Sequence, residues 1–442
     1  MPKLRLPHPM VLLLGCVLVA AALTHVLPAG AFDRHEDAAT GRTVVVAGTY
    51  KQVEAQPVGL FDAFVAVPRG FVAAAEVIVL VLLVGGAWTV VDKAGTLRAI
   101  VDWLVGRFGK RRYLAIVILS LAFAAGGALE NMGEEIIPLV PVILLLCQGF
   151  GYDALSAAAL SIGAAMVGSA FSPLNPFQAG IALKLAQLPL LSLAGLRTGL
   201  LLVALALWIW WTIRYAEKNR VEPDEAHRPS AVTFDVRQRI ILLLVVAPFV
   251  AYIVGVLKFG WGFNELSAAF LVAGLAVGFV GRLGVQGTVD AYFDGMRSVT
   301  AAAVLIGVAR SISLVLEDGR VIDTILQGLV TPLADAPRAM AAVLMVPVQA
   351  LLHIPVSSTS GQAVLTMPVM VPLSDLLGIS RQATVLAYQA GAGLTEFWTP
   401  TNGTLMAILL SVKCPYERWL RFAFPMVLLL TALFIAGILV AI

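Results

Sequence analysis

Apolar residues run along this chain in blocks close to the ~20 residues that carry a helix across a bilayer. The blocks stand at 9–28, 71–91, 152–171, 190–213, 240–257, 264–281, 298–316 and 419–442. Shorter apolar stretches lie between them at 113–129, 134–148, 336–352, 362–377 and 383–396. The short ones carry the information, because they come in pairs around polar, glycine-bearing tips: LENMGEE at 129–135 and IPVSSTSGQ at 354–362. Two short arms joined by such a tip predict a re-entrant helical hairpin, one over 113–148 and one over 336–377.

Behind each hairpin the pattern breaks in mid-run. FSPLNPFQAG at 171–180 and FWTPTNGTLM at 397–406 place Ser/Thr-Pro-x-Asn-Pro/Gly inside apolar surroundings. Proline removes a donor and clashes with the preceding turn, which frees backbone carbonyls. Inside a membrane such groups are tolerated only where protein buries them or where they line a cavity. The breaks therefore predict interrupted helices over 152–187 and 380–412. A simple proline kink with the asparagine bridging two helices is the alternative for either motif alone.

Composition fixes the class. Hydrophobic residues make up 60% of 442 residues and charged residues 13%, and the mean hydropathy is +0.91, well above the roughly 45–50% apolar share of soluble domains. The expectation is an all-α polytopic membrane protein. Cys16, Cys147 and Cys414 are odd in number and lack metal-ligand spacing, so they read as small core residues. Lys3 and Arg5 ahead of the first block could begin a secretory signal ending at 28–31, but the block exceeds the about 7–15 residues of a signal core, which favours a retained helix. The net charge of +3 decides nothing, but its distribution does. Basic residues cluster at 93–112, 214–239 and 413–421, and the positive-inside rule puts those segments in the cytoplasm. Residues 29–70 are then an external connector or small hairpin without a site.

Sliding the chain on itself exposes a repeat. Asn175 and Asn402 are 227 residues apart, as are Gly151 and Gly378, each read as opening a helix; Gly133 and Gly361, and Asp62 and Asp290, are 228 apart. The domain reading is a first helix and connector (1–59), one repeat (60–214), a linker with two further spans (215–286), and a second repeat (287–442). The helix at 9–28 pairs with 240–257, and the one extra span at 264–281 ahead of the second repeat inverts it, with the N-terminus cytoplasmic and the C-terminus periplasmic. Inverted repeats with broken segments at matching positions are the mark of a secondary transporter's substrate site.

The candidate site follows from these four places. From the first tip it takes Glu130, Asn131, Gly133 and Glu134, and from the first break Ser172, Pro173 and Asn175. From the second tip it takes Ser358, Thr359, Ser360 and Gly361, and from the second break Thr399, Pro400, Thr401 and Asn402. Intramembrane carboxylates are functional hypotheses by default, so Glu130, Glu134, Glu135 and Glu396, with Asn175 and Asn402, are ion-coupling candidates. Glu134 and Glu135 diverge by about 100° on a helix, so only one of them faces the site. Na+ is placed as a candidate near Asn131, Asn175, Thr359 and Asn402, with H+ as the other coupling ion and no further cofactor. Arg310 either pairs with one of these acids or holds a substrate carboxylate. His353 either carries a proton or packs as a hydrogen-bonded histidine. The acidic first tip and the hydroxyl-rich second tip suit a zwitterion, amine toward the glutamates and carboxylate toward the hydroxyls.

PHPMVLLLGCVLVAAALTHVLPAGAFDR, PVGLFDAF, MGEEIIPLVPV, SPLNPFQAGIA and, most specifically, STSGQAVLTMPVMVPLSDLLGISRQATVLAYQAGAGLTEFWTPTNGTLMA resemble the YfcC group of the DcuC-like C4-dicarboxylate anaerobic carrier family. The resemblance covers nearly the whole chain. It implies membership of the ion transporter superfamily: inverted repeats, two re-entrant hairpins, a dimerising scaffold and elevator-type alternating access. It also implies a bacterial inner-membrane location, and a group whose members are named as basic amino-acid antiporters. Dicarboxylate carriers of that superfamily use Ser-Asn-Thr tips beside Na+; here Glu130-Asn131-Met132-Gly133 and Ser358-Thr359-Ser360-Gly361 stand there instead.

The expected function is thus a secondary active transporter, not an enzyme, for a small carboxylate-bearing metabolite, first an amino acid and alternatively a C4-dicarboxylate with Na+ or H+. The expected partners are that small molecule, the bilayer and a second copy in a homodimer, with no nucleic acid. The mobile part would be the hairpins and broken helices, moving against a scaffold of 71–91, 190–213, 298–316 and 419–442. An ion channel would need polarity continuing through the membrane, whereas here it is confined to the breaks. An embedded enzyme would need a catalytic motif, and neither HExxH nor GxSxG occurs.

Overall fold

The computed structural model describes residues 7–38, 40–97, 99, 103, 106, 111–221, 235–259 and 261–442. Lys3, Arg5 and much of the first two basic clusters lie outside the described residues. The described residues are helical apart from turns, loops and two small two-stranded antiparallel sheets in the 29–52 connector. Among the described residues, eight helices are long and apolar enough to cross a membrane.

The helices sort into two groups by what they pack on. In one, the 35-residue helix Gly284–Asp318 lies along Leu60–Ala73 and Ala75–Lys93, flanked by Pro9–Val26 and Phe263–Val280. The other holds two hairpins and two interrupted helices. The first hairpin runs up Tyr113–Glu130, turns at 131–133 and returns through a 3-10 segment Glu134–Leu139 and the helix Val140–Gly149. Pro138 and Pro141 explain why its return arm begins as 3-10. Its two ends meet: Arg112 Nη1 donates to Phe150 O at 3.5 Å and its guanidinium pairs with Glu217 at 3.9 Å, while Tyr152 OH donates to Glu217 Oε1 at 2.8 Å. The segment therefore starts and finishes at one end of the molecule. The second hairpin pairs Arg338–His353 with Thr359–Leu376, joined near the tip by Gln362 Nε2 donating to Gln349 O at 2.7 Å.

Each interrupted helix begins behind a hairpin. Gly151 and Gly378 hold left-handed φ of 76° and 68° and so end the hairpin arms, a conformation that favours glycine. The helices themselves are opened two residues later, by Asp153 accepting from Ser156 N (2.9 Å) and by Ser380 accepting from Ala383 N (3.1 Å). The sequence reading of these glycines as helix openers is therefore corrected to helix enders. The first interrupted helix, Ala154–Leu185, is 89% buried over its most apolar window, against 28% for Pro9–Val26. That burial satisfies the rule that irregular backbone at membrane depth must be wrapped in protein. The wrapping is tight: a Cβ on Gly127 would stand 2.0 Å from Ala165 O, and one on Gly168 2.0 Å from Ala124 O. Only glycine allows this crossing of Tyr113–Glu130 over Ala164–Phe171.

Ala194–Lys218 and Tyr416–Ala441 pack on the interrupted helices and on each other. Trp208 Nε1 donates to Ala159 O (2.9 Å) at a π-helical turn, and Trp211 Nε1 donates to Phe422 O (3.0 Å). Asp153 accepts from Tyr215 OH (2.9 Å) and Arg418 Nη2 (2.6 Å). The helices read from the sequence as scaffold at 190–213 and 419–442 are thus joined by indoles and a carboxylate to the interrupted helices rather than to 71–91 and 298–316.

The connector is tied to the rest of the fold. Asp323 accepts from Phe32 N (2.9 Å) and Arg34 Nη2 (2.8 Å), and Tyr50 OH lies 3.0 Å from Thr324 Oγ1, so helix Ile322–Val330 anchors it. Its strand Arg42–Val45 lies on the second hairpin's return arm.

Candidate functional site

The tips and breaks converge around a cavity of about 410 Å³, within the ~300–1,000 Å³ usual for small-ligand sites. The first tip is shaped by Asn131, which ends its helix in the left-handed region at φ 58°, a conformation asparagine tolerates. Behind it, Asn175 donates to Asn131 Oδ1 (3.1 Å), Gly127 O (2.9 Å) and Ser169 Oγ (3.1 Å), and its Oδ1 accepts from Phe177 N (3.0 Å) and Gln178 N (2.8 Å). Ser169 Oγ donates to the same Asn131 oxygen. Ser172 Oγ donates to Ala128 O (2.7 Å) and accepts from Asn175 N (3.0 Å). The first break thus holds the first tip from behind.

The second break is built differently. Thr399 N donates to Thr395 O at 2.9 Å and Thr399 Oγ1 meets Thr401 Oγ1 at 2.7 Å. Asn402 caps Gly403–Ser411, its Oδ1 accepting from Leu405 N (3.1 Å), while its Nδ2 donates to Glu396 O (3.1 Å) and to Glu396 Oε2. Several carbonyls released at the two breaks are taken by side chains. Gln389 Nε2 donates to Ala170 O (3.0 Å) and Ser172 O (3.2 Å), Trp419 Nε1 to Phe397 O (2.7 Å), and Tyr416 OH to Trp398 O.

Of the residues singled out in the sequence, Asn131, Gly133, Glu134, Ser358, Thr359, Glu396, Thr401 and Asn402 line the cavity. Glu130, Glu135, Ser172, Pro173, Asn175, Thr399 and Pro400 do not line it; Ser360 and Gly361 line a second cavity. Among the three glutamates at the first tip, Glu134 is the one that faces inward, accepting from Thr404 Oγ1 at 3.2 Å. Glu135 turns back on its own tip and accepts from Gly133 N at 3.0 Å.

Arg310, from the long helix, lines the cavity and makes no ion pair or side-chain hydrogen bond among the described residues. With Ser313 and Ser358 it also lines the second cavity, about 720 Å³, whose far wall includes Arg34 and Arg42 of the connector. These three residues form the septum between the two spaces. Ser358 caps the return arm of the second hairpin by accepting from Gly361 N at 3.2 Å, and Tyr388 OH donates to Thr359 O at 2.6 Å. Sequence reasoning missed Ser169, Ser313 and Thr404: only Thr404 stood beside a motif, and the repeat places the apolar Phe177 opposite it.

Comparison with known proteins finds relatives along most of the chain. A protein of Haemophilus influenzae Rd without an assigned function is 28% identical over 406 residues, covering 87% of this chain and 79% of its own. The Escherichia coli K12 protein named "Putative basic amino acid antiporter YfcC" is 32% identical over 372 residues, covering 79% and 74%. Among solved structures, the YdaH transporter of Alcanivorax borkumensis aligns at TM-score 0.41 and 19% identity, over 98% of this chain and 97% of that one. The MtrF structure of Neisseria gonorrhoeae aligns at TM-score 0.45 and 17% identity, over 98% and 94%. The description of the C4-dicarboxylate anaerobic carriers (DcuC) matches residues 6–442, and the chain belongs to that family of membrane transporters.

Proposed function

We propose that this carrier moves a small carboxylate-bearing metabolite, in the first place an amino acid, across the bacterial inner membrane. One observation carries the reading: a single 410 Å³ cavity is lined by two neighbouring carboxylates, Glu134 and Glu396, and by the guanidinium of Arg310, which makes no salt-bridge contact among the described residues and has Glu317 in electrostatic reach, beside the hydroxyls of Ser357, Ser358 and Thr359. A desolvated site with both charges matches a zwitterion, whose ammonium lies by the glutamates and whose carboxylate lies by Arg310. A dicarboxylate would satisfy Arg310 and the hydroxyls but would stand two like charges beside the glutamates. The name of the Escherichia coli relative supports the amino-acid reading, and the family's name keeps the dicarboxylate as the alternative.

The two halves at 60–214 and 287–442 are inverted repeats in this reading, with the N-terminus cytoplasmic and the C-terminus periplasmic. Transport is elevator-like. The unit that moves comprises both hairpins, both interrupted helices, Ala194–Lys218 and Tyr416–Ala441. It slides against the long helix Gly284–Asp318 and its neighbours, which also hold the homodimer together. The second cavity is the access path on the connector side.

Thermal stabilisation of the detergent-purified protein by amino acids and by C4-dicarboxylates, each with and without Na+, tests the reading, since a ligand of the folded state raises its stability. Stabilisation by lysine or a neutral amino acid is expected. Stabilisation by succinate alone moves the assignment to dicarboxylates, and stabilisation by neither class removes the substrate reading.

A further inference from the structure

His353 is fully buried at the end of the second hairpin's first arm and touches two groups. Its Nδ1 lies 2.7 Å from Gln362 Oε1, and its Nε2 lies 2.7 Å from Glu396 Oε1. The hydrogens of this cluster can be assigned from its backbone partners. Gln362 donates to a main-chain carbonyl, Gln349 O, at 2.7 Å. That contact fixes which end of the amide is nitrogen, so Oε1 must accept and His353 Nδ1 must carry a hydrogen. Asn402 Oδ1 accepts from the main-chain N–H of Leu405 at 3.1 Å. Its Nδ2 therefore donates to Glu396 Oε2, which leaves only Oε1 free to share a proton.

With Nδ1–H fixed, the 2.7 Å contact between His353 Nε2 and Glu396 Oε1 holds one proton. Either Glu396 carries it and donates to a neutral imidazole, or the imidazolium donates to the carboxylate. With no proton there, a nitrogen lone pair faces a carboxylate oxygen and the contact becomes repulsive. We infer that the His353–Glu396 contact is the carrier's proton-binding site, and that the bound proton and the substrate's ammonium group compete for Glu396, which makes transport an exchange of substrate for H+.

This rests on the amino-acid reading above. Glu396 is the shared member, because its carboxylate both lines the cavity and meets His353. An arriving ammonium takes the Glu396 carboxylate as counter-ion; the proton of the pair leaves to solvent, so one positive charge replaces another. The other ionisable groups facing the pair are consistent with that balance: Glu134 from the first tip acts on Glu396 electrostatically, Arg310 lines the same cavity, and Tyr388 is neutral and donates its hydroxyl to Thr359 O. Loss of the proton also loosens the join between hairpin tip and broken helix.

The test is to add L-lysine, and in parallel succinate, to purified protein in weak buffer while following proton release with an indicator dye and binding by thermal shift. About one proton released per lysine bound is expected of the wild type. In His353→Gln, lysine still shifts the melting temperature but release falls at least several-fold. Lysine binding without proton release, succinate binding alone, or full release from His353→Gln overturns the inference while leaving a carrier. Binding of neither compound overturns the substrate reading on which it rests. Should His353→Gln not fold, nitrogen NMR of labelled histidine in the wild type decides: a protonated Nδ1 with an Nε2 signal that moves on adding lysine supports the site, and a spectrum indifferent to lysine overturns it.

Discussion

Trp419 donates its indole N–H to the carbonyl of Phe397 at 2.7 Å, and both residues are fully buried. The carbonyl is one that the Pro400 break leaves without a helical partner, so an indole from the last helix replaces a turn of helix. Trp419→Phe keeps an aromatic ring there and deletes only the donor. An unsatisfied buried carbonyl costs about 1–3 kcal/mol, so the variant should melt several degrees below the wild type. An unchanged melting temperature would show that the carbonyl finds another donor.

That contact places Tyr416–Ala441 with the interrupted helices, and the proposed moving unit can be tested on that basis. Leu200 and Gly437 lie against each other inside the proposed moving unit, where a Cβ on Gly437 would stand 2.7 Å from Leu200 Cδ1. Ala309 and Gly403 face each other across the boundary, where a Cβ on Gly403 would stand 2.9 Å from Ala309 Cβ. In a background lacking Cys16, Cys147 and Cys414, a 200–437 cross-link should leave transport running. A 309–403 cross-link should stop it until reductant is added. The opposite pattern would assign Ala194–Lys218 and Tyr416–Ala441 to the static part.

Asn175 and Asn402 occupy matching places in the sequence, yet the structure gives them different work. Asn175 is fully buried and holds Asn131, Gly127 and Ser169 from behind, whereas Asn402 lines the cavity and contacts Glu396. Loss of either cap costs about 0.5–2 kcal/mol, so both alanine variants should melt lower. Asn402→Ala should in addition weaken ligand-induced stabilisation, and Asn175→Ala should retain it in the protein that stays folded. Equal loss of ligand response in both would put Asn175 in direct contact with substrate.

Glu134 tests the ammonium side of the cavity. Glu134→Gln keeps the hydrogen bond with Thr404 within reach and removes one negative charge. Affinity for lysine should fall by about tenfold or more, corresponding to about 1.4 kcal/mol per decade, while Glu135→Gln should change it little. A larger effect from Glu135 than from Glu134 in a binding titration would reverse the orientation of the first tip.

Much of this was legible in the chain. Broken runs at Pro173 and Pro400 announce themselves through the paired Ser/Thr-Pro-x-Asn-Pro/Gly pattern rather than through proline alone, since Pro248, Pro347 and Pro425 lie inside continuous helices. What periodicity cannot supply is azimuth and partner. Glu134 and Glu135 are neighbours in sequence, and only the 3-10 turn at Glu134–Leu139 decides which one faces inward. The allegiance of Ala194–Lys218 was hidden for the same reason: its hydropathy suits any span, and the deciding groups are single indoles, Trp208 and Trp211, whose acceptors lie 49 and 211 residues away. His353 carried no motif at all, and its partner Glu396 is 43 residues on.

Arg310 is the sharpest test of the carboxylate side. It comes from the long helix Gly284–Asp318, while the hydroxyls around it come from the second tip, so it stands on the static side of the proposed boundary. A substrate carboxylate bound there bridges the two parts and is released when they slide apart. Arg310→Gln should weaken binding of any carboxylate ligand by roughly 10–100-fold, the loss of one charge-assisted hydrogen-bonded pair of about 1.5–3 kcal/mol. Arg310→Lys should restore only part of it, because an ammonium lacks the planar fork that meets both carboxylate oxygens. Amines without a carboxylate should bind both variants as they bind the wild type. If Arg310→Gln instead binds lysine normally and fails only in transport, Arg310 belongs to the septum between the cavities as a gate, and the substrate carboxylate sits on the hydroxyls of Ser357, Ser358 and Thr359 alone.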